Sequence, residues 1–260
     1  MNFLKEFFLA IRYYPKAISF INEHSLWKYM VLPAFFNFAA FIFVGYLGWV
    51  YSGDLVDFLI LKAGFTEDPG FWKTLVQVLL SIVIRGMVIL LYLKLYRYIV
   101  LIFFAPILAF ISELIQEKAN GVKRPLSFGQ FIHDVLRGAG IASKNLIIEL
   151  SIYLLIFIAT VLIPLIAPAS PFLVFMVGSY FYGFSMIDYR NEFYYFSAKD
   201  SRKLIWNHRG LTLGNGLIFY FLLLIPVFGV LLAPSISVVA AGLAMNEVET
   251  YKGEKDLSLQ

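Results

Sequence analysis

The sequence predicts an all-α integral membrane protein: two long transmembrane helices, two proline-broken re-entrant helical hairpins, and amphipathic helices at the interface. Three observations predict it. The 260 residues are 60% hydrophobic, 18% aromatic and only 15% charged, with a mean hydropathy of +0.79. A soluble domain is about a quarter charged, so this chain has too few charges to coat a water-facing globule. Its apolar residues gather into runs of membrane-spanning length bounded by aromatics. Prolines then divide the later runs into arms too short or too irregular for ordinary spans. The whole chain, 1–260, reads as a single membrane domain.

Residues 1–28 form an amphipathic N-terminal segment. Phe3, Phe7, Ile11, Tyr14 and Ile18 recur at helical spacing, while Lys5, Arg12 and Lys16 occupy another face. Aromatics against basic residues suit a helix lying in the headgroup plane; packing on a neighbouring protein surface would use the same stripe. Pro15 predicts a kink. Lys5, Glu6, Arg12 and Lys16 interrupt any signal-peptide core.

Residues 29–51 form the first span. Tyr29–Tyr51 carries no charge and is long enough to cross about 30 Å of hydrocarbon at roughly 1.5 Å per residue. Trp27, Tyr29, Trp49 and Tyr51 suit the interfacial aromatic belts. Ser52–Lys73 reads as a polar loop. Residues 74–115 form the second long helix, interrupted by Arg85, Lys94 and Arg97. It exceeds one crossing, so it projects beyond the bilayer or bends near Pro106. Glu117–Asn145 is polar and basic. Ser127 and Gln130 form a capping-box pattern opening a surface-lying helix with Phe128, Phe131, Ile132, Val135 and Leu136 on its apolar face.

The first hairpin covers 146–187, with arms Leu146–Ile163 and Phe172–Ile187 separated by Pro164, Pro168 and Pro171. The second covers 211–245, broken by Pro226, Gly229 and Pro234. Arms this short fit re-entrant hairpins better than full spans, and their tips must be buried or line a wet cavity. Residues 246–260 read as a frayed tail. Lys and Arg crowd the N-terminus, Glu117–Asn145 and Asp188–Arg209, whereas Ser52–Lys73 has more acids than bases. The positive-inside rule then puts both termini in the cytoplasm of a multi-pass protein, whether or not the hairpins span.

The chemistry of the side chains points away from catalysis. With no cysteine, disulfides, thiolate metal sites and cysteine nucleophiles are excluded. His24, His133 and His208 lack partners at metal-ligand spacing, and Asp134 beside His133 reads as a solvated helix face. Gly214-Asn215-Gly216 lacks the third glycine and the preceding strand of a dinucleotide fingerprint, and no Walker A, nucleophile-elbow or HExxH pattern occurs. The expectation is no enzyme, no metal and no cofactor. A net charge of +4 and a pI of about 9.1 are assigned to anionic headgroups and topology rather than to nucleic acid.

Two basic features remain. Arg85 lies about midway along its apolar run, where a charge costs at least ~2.5 kcal/mol on insertion scales. It belongs to an anion pathway, to a structural ion pair for which Glu149 is a partner, or to a register nearer the interface. Lys199, Arg202, Lys203, His208 and Arg209 form a basic stretch in which Arg202, Trp206 and Arg209 share a helical face. It contacts lipid phosphate and sets topology, or it concentrates anions as an electrostatic funnel.

The order of these signals resembles the CysZ-type sulfate permeases, the bacterial branch of the etoposide-induced membrane protein family. The resemblance rests on Leu32-Pro33 with Asn37, Ala105-Pro106 with Glu113 and Glu117, and Asp188-Tyr189. It continues through Arg209 with Gly214-Asn215-Gly216, then Ile225-Pro226, Pro234 and Ala241-Gly242. It implies two long transmembrane helices, two half-penetrating hairpins, a homodimer or larger assembly, and sulfate uptake across the inner membrane for cysteine synthesis. It also implies an anion site just before the first span, in a Gly-hydrophobic-Arg-Arg stretch. The matching positions here are Ser25-Leu26-Trp27-Lys28, so Ser25, Leu26 and Lys28 are the expected site and only Lys28 keeps the charge. The family's proline after Asp-Tyr is replaced by Arg190. A non-transporting membrane scaffold, whose hairpins organise lipid or partner proteins, is the rival reading.

Overall fold

The computed structural model describes residues 2–62, 71, 74–75, 78–79, 82–83, 86, 105–123, 128–225 and 228–257. All regular elements among them are helices: α1 (Phe3–Glu23), α2 (Trp27–Lys62), α3 (Ala105–Asn120), α4 (Phe128–Leu162), a 3-10 turn (Pro164–Ala169), α5 (Ser170–Phe193), α6 (Ala198–Asn207), α7 (Arg209–Leu223) and α8 (Phe228–Leu257). Two compact units partition the chain, Met1–Phe35 with Leu101–Gln260, and Phe36–Val100. Arg85, Lys94, Arg97, Ser127 and Pro226 lie outside the described residues.

The core of the first unit is built around α8. Its stretch from Ala233 to Met245 buries Ala233, Ile236, Val238, Val239, Ala240, Ala241, Ala244 and Met245. A helix apolar on all sides needs partners all round, and α1, α3, α5 and α7 supply them. The Gly214-Asn215-Gly216 run of α7 is the hub of this packing. A Cβ on Gly216 would stand 1.7 Å from the Ser179 carbonyl oxygen of α5, and one on Gly214 would stand 2.5 Å from that of Phe7 in α1. Between them, Asn215 reaches α8: Ser237 Oγ donates to its Oδ1 at 2.9 Å, and the Tyr14 hydroxyl donates to its backbone carbonyl at 2.7 Å. Small residues on both sides let the backbones approach, as in membrane helix pairs. Burial holds the Tyr14 phenol above the ordinary tyrosine range, so it stays a neutral donor.

Several sequence expectations change here. On α1 the packed face is Ala10, Tyr14, Ala17 and Ile21, joined by Tyr13 and Glu6, whereas Phe3 and Ile18 are exposed. Gly210 and Gly214 of α7 meet the backbone carbonyls of Phe3 and Phe7, with Glu6 and Ala10 alongside, so α1 contacts α7 through its backbone and small groups while the Phe3 ring stays outside. The segment therefore packs on its own chain. Pro15 sits inside a continuous α1. The expected polar loop after residue 51 begins as helix, since α2 runs 36 residues to Lys62. The expected surface helix and the first hairpin arm are one 35-residue helix, α4. Gly229 and Pro234 lie within α8, which continues through the expected tail to Leu257. Contacts stabilise that extension: Val248 is buried, and Glu247 and Glu249 meet Tyr13 and Arg190.

Among the described residues, two helical stretches are long and apolar enough to cross a membrane, Ile132–Leu162 and Pro164–Phe193. They enclose the proline-rich tip: Pro164 and Pro168 shape the 3-10 turn, and Pro171 opens α5, where a missing N–H costs no intrahelical bond. α4 and α5 pack together as a helical hairpin. Leu150, Leu154, Leu155, Phe157, Val161 and Leu162 of α4 point outward, and Leu165 at the tip is 89% exposed. An apolar face this continuous has no place in water; lipid is the solvent it suits.

Candidate functional site

Two places bear on function, and both are built from helix ends. At the first, α1 stops and α2 starts within three residues. Leu26 N–H returns to the Ile21 carbonyl at 2.9 Å, and Ser25 adopts a left-handed φ of 52°. This is the helix-ending geometry that glycine favours. The side chain of Leu26 is 2% exposed and anchors the turn in the core. Trp27 Nε1 donates to Asn22 Oδ1 at 2.6 Å and fixes the entry of α2. The exposed Lys28 ammonium stands 5.0 Å from the centre of the Tyr29 ring. Of the three expected site residues, Ser25 shapes the turn, Leu26 holds it, and Lys28 presents charge beside the first amides of α2.

The second place is a cavity of about 680 Å³ between the α4–α5 hairpin and α6–α7, with Phe3 of α1 also in its lining. Its mouth carries Lys199, Arg202, Lys203 and Arg209, and its walls are Ile148, Ile152, Met176, Val177, Tyr180 and Phe181. The cap of α6 sets this arrangement. Ser197 Oγ accepts from the Asp200 N–H at 3.1 Å and donates to its carboxylate at 2.6 Å, an N-cap that starts the helix in register. The basic stretch is two helices rather than one, because His208 lies between α6 and α7. The shared face survives the break: the Arg209 guanidinium lies 5.6 Å from the Trp206 ring centre, and Trp206 meets Tyr180 edge to face. Among the described residues no carboxylate lines this cavity and no ion pair neutralises the four cations. Arg202 Nε and Asn145 Nδ2 are buried without hydrogen-bond partners.

Beneath the cavity, a buried polar network holds α6 against the hairpin foot. Arg137 donates to Asp188 through two nitrogens, at 2.9 and 3.2 Å, to Glu192 at 3.4 Å, and to the Phe196 carbonyl at 2.9 Å. Ser201 donates to Asp188 and accepts from Asn191. On the far side of α5, Gln116 Oε1 accepts from Asn120, Tyr194 and Asn246, and Arg190 reaches Asn246 and Glu249. His133 and Asp134 sit together at 3.4 Å with His133 exposed. Among the described residues no cluster of three or more His, Asp or Glu could hold a metal ion.

These features form a membrane-type helix bundle with cationic helix ends, and residues 13–234 match the family described as Sulfate transporter CysZ/Etoposide-induced protein 2.4. The chain belongs to that family. No curated protein matches the chain. The family is described by transport rather than catalysis, and membership with the two apolar helices makes this a membrane protein related to sulfate transporters. Ser25, the position the sequence resemblance matches to a glycine, holds a left-handed backbone of the kind glycine favours. Arg190, which follows Asp188-Tyr189, is 3% exposed and bound across to α8. Arg85 lies outside the described residues, and Glu149 is buried in α4 and accepts from Tyr153. Sequence reasoning missed the Arg137–Asp188 network, because Arg137 looked like one more topology-setting charge. It also missed Asn145 as a cavity residue, since only the α4–α5 crossing brings it beneath α6.

Proposed function

We propose that this protein is an inner-membrane permease for sulfate or a related small anion, supporting sulfur assimilation, with both termini in the cytoplasm. The observation that carries it is the family match over residues 13–234 on a chain with outward-facing apolar helices. Anion capture falls to the α1–α2 turn. The amides opening α2 and the Lys28 ammonium present partial and full positive charge to a dianion. Ser25 supplies the reversal and Leu26 the anchor, so neither needs to touch the anion with its side chain. Arg85 is the residue assigned to the deeper step, where a cation within an apolar run replaces part of the hydration shell. The α4–α5 and α7–α8 pairs are the re-entrant hairpins, and a homodimer or larger assembly surrounds the path.

Radiolabelled sulfate uptake into liposomes containing the pure protein tests this reading. Uptake above that of empty vesicles, saturable and reduced by excess cold sulfate, is the expected result. No uptake above empty vesicles returns the protein to the scaffold reading.

A further inference from the structure

The cavity under α6 has a chemistry that a small inorganic anion would use only in part. Its mouth gathers Lys199, Arg202, Lys203 and Arg209 with no acid among the described lining residues. Asp200, the nearest acid in sequence, is engaged at the α6 N-cap with Ser197. Beyond the mouth the walls turn apolar and follow the hairpin from Asn145 to Ile152 on α4 and from Phe184 to Met176 on α5. At a rise of about 1.5 Å per residue, that is roughly 10–12 Å of groove. The same α4–α5 hairpin turns Leu150, Leu154, Leu155 and Phe157 outward as a face suited to lipid, so a groove along that hairpin is one an acyl chain can reach.

We infer that this cavity binds one anionic phospholipid, its phosphate on the four cations and one acyl chain along the Ile148–Ile152 and Met176–Val177 walls. Two buried donors without partners sit where a headgroup would enter. Arg202 Nε is one, and Asn145 Nδ2, in a side chain 3% exposed, is the other. Unpaired buried donors are costly, and phosphate or ester oxygens would accept from both. Arg209 is held over Trp206, and Trp206 against Tyr180. These interfacial aromatics set the level at which a headgroup sits. Charge complementarity favours an anionic lipid over a zwitterionic one, and the groove favours a lipid over a free anion. Each cation near an anionic headgroup contributes roughly a fivefold gain in binding.

The test is lipid retention by the full-length protein in detergent, read by native mass spectrometry. Phosphatidylglycerol and phosphatidylcholine of matched chains serve as probes, with inorganic phosphate and sulfate as competitors. Phosphatidylglycerol should be retained over phosphatidylcholine, and millimolar phosphate or sulfate should not displace it. The paired change Arg202→Gln with Arg209→Gln should weaken retention by about tenfold or more, whereas Lys123→Gln should not. Ile152→Trp leaves the cations intact and fills the groove, so it should abolish retention without altering helix content or elution volume. Equal retention of the two lipids, no loss on Ile152→Trp, or displacement by millimolar phosphate or sulfate would overturn the proposal, the last assigning the cations to a small anion. Sulfate flux is measured separately, so lipid binding and transport can fail independently.

Discussion

Arg137 grips Asp188 with both ends of its guanidinium, at 2.9 and 3.2 Å, and the two side chains are 8% and 9% exposed. This bidentate pair joins α4 to α5 at the hairpin foot and carries α6 through Ser201. Removing Arg137 takes from the buried Asp188 the guanidinium that pairs with it. Arg137→Ala should therefore cost about 3–5 kcal/mol, seen as a lower melting temperature of the purified protein or loss of monodisperse material. Asp188→Asn should cost less, because Glu192 stays 3.4 Å from Arg137. Arg137→Lys should not restore stability, since an ammonium lacks the fork. An unchanged melting temperature for Arg137→Ala would contradict this account.

The glycines of α7 should separate into those that set helix spacing and those that do not. Gly216→Ala puts a methyl 1.7 Å from the Ser179 carbonyl oxygen, so α5 and α7 must part. Overpacking of this kind costs about 1–3 kcal/mol and sometimes more. Gly140→Ala in α4 meets nothing within 4 Å and should be neutral or stabilising, by up to about 1 kcal/mol of helix propensity. Thermal unfolding of the two variants should move in opposite directions. Equal shifts would mean that the α5–α7 contact is not close in solution.

Depth of the hairpins can be read from single cysteines, because the native chain has none. Leu165 at the α4–α5 tip and Leu224 at the α7 end are 89% and 65% exposed on the protein, so the chain's own packing does not hide them. If the hairpins are re-entrant, Leu165→Cys and Leu224→Cys should resist impermeant thiol reagents added outside. Thr66→Cys should react from outside and Asn207→Cys only from inside. Strong external labelling at both tips would mean complete spans.

Lys28 should govern anion capture rather than folding, since its side chain is exposed. A charge-assisted contact in a desolvated site contributes about 1.5–3 kcal/mol; Lys28 is exposed, so Lys28→Ala should raise the half-saturating sulfate concentration by less than the roughly tenfold this would give. At a solvated mouth the loss is smaller and shrinks further with added salt. Ser25→Gly, by contrast, should leave capture intact and raise stability slightly, because glycine adopts the left-handed backbone without steric cost. If Lys28→Ala transports like the unmodified protein, the capture site lies elsewhere.

By itself the sequence determined the solvent, the helical class and the family. Those properties follow from sums and local patterns: 15% charge cannot cover a water-facing surface, and the proline cluster from Pro164 to Pro171 ends one helix and starts the next in any tertiary setting. The ordered motifs likewise sufficed to place the chain among the sulfate transporter relatives. Only the tertiary structure decided which charges are solvated and which are buried. Arg137 and Arg202 sit in equally basic stretches, yet one is locked between two carboxylates while the other faces a cavity with a buried, unpartnered Nε. It also decided that α1 packs through alanines and that Gly214-Asn215-Gly216 is a three-sided helix contact. Such features depend on which backbones meet at a crossing, a relation between distant segments that periodicity within one segment does not encode.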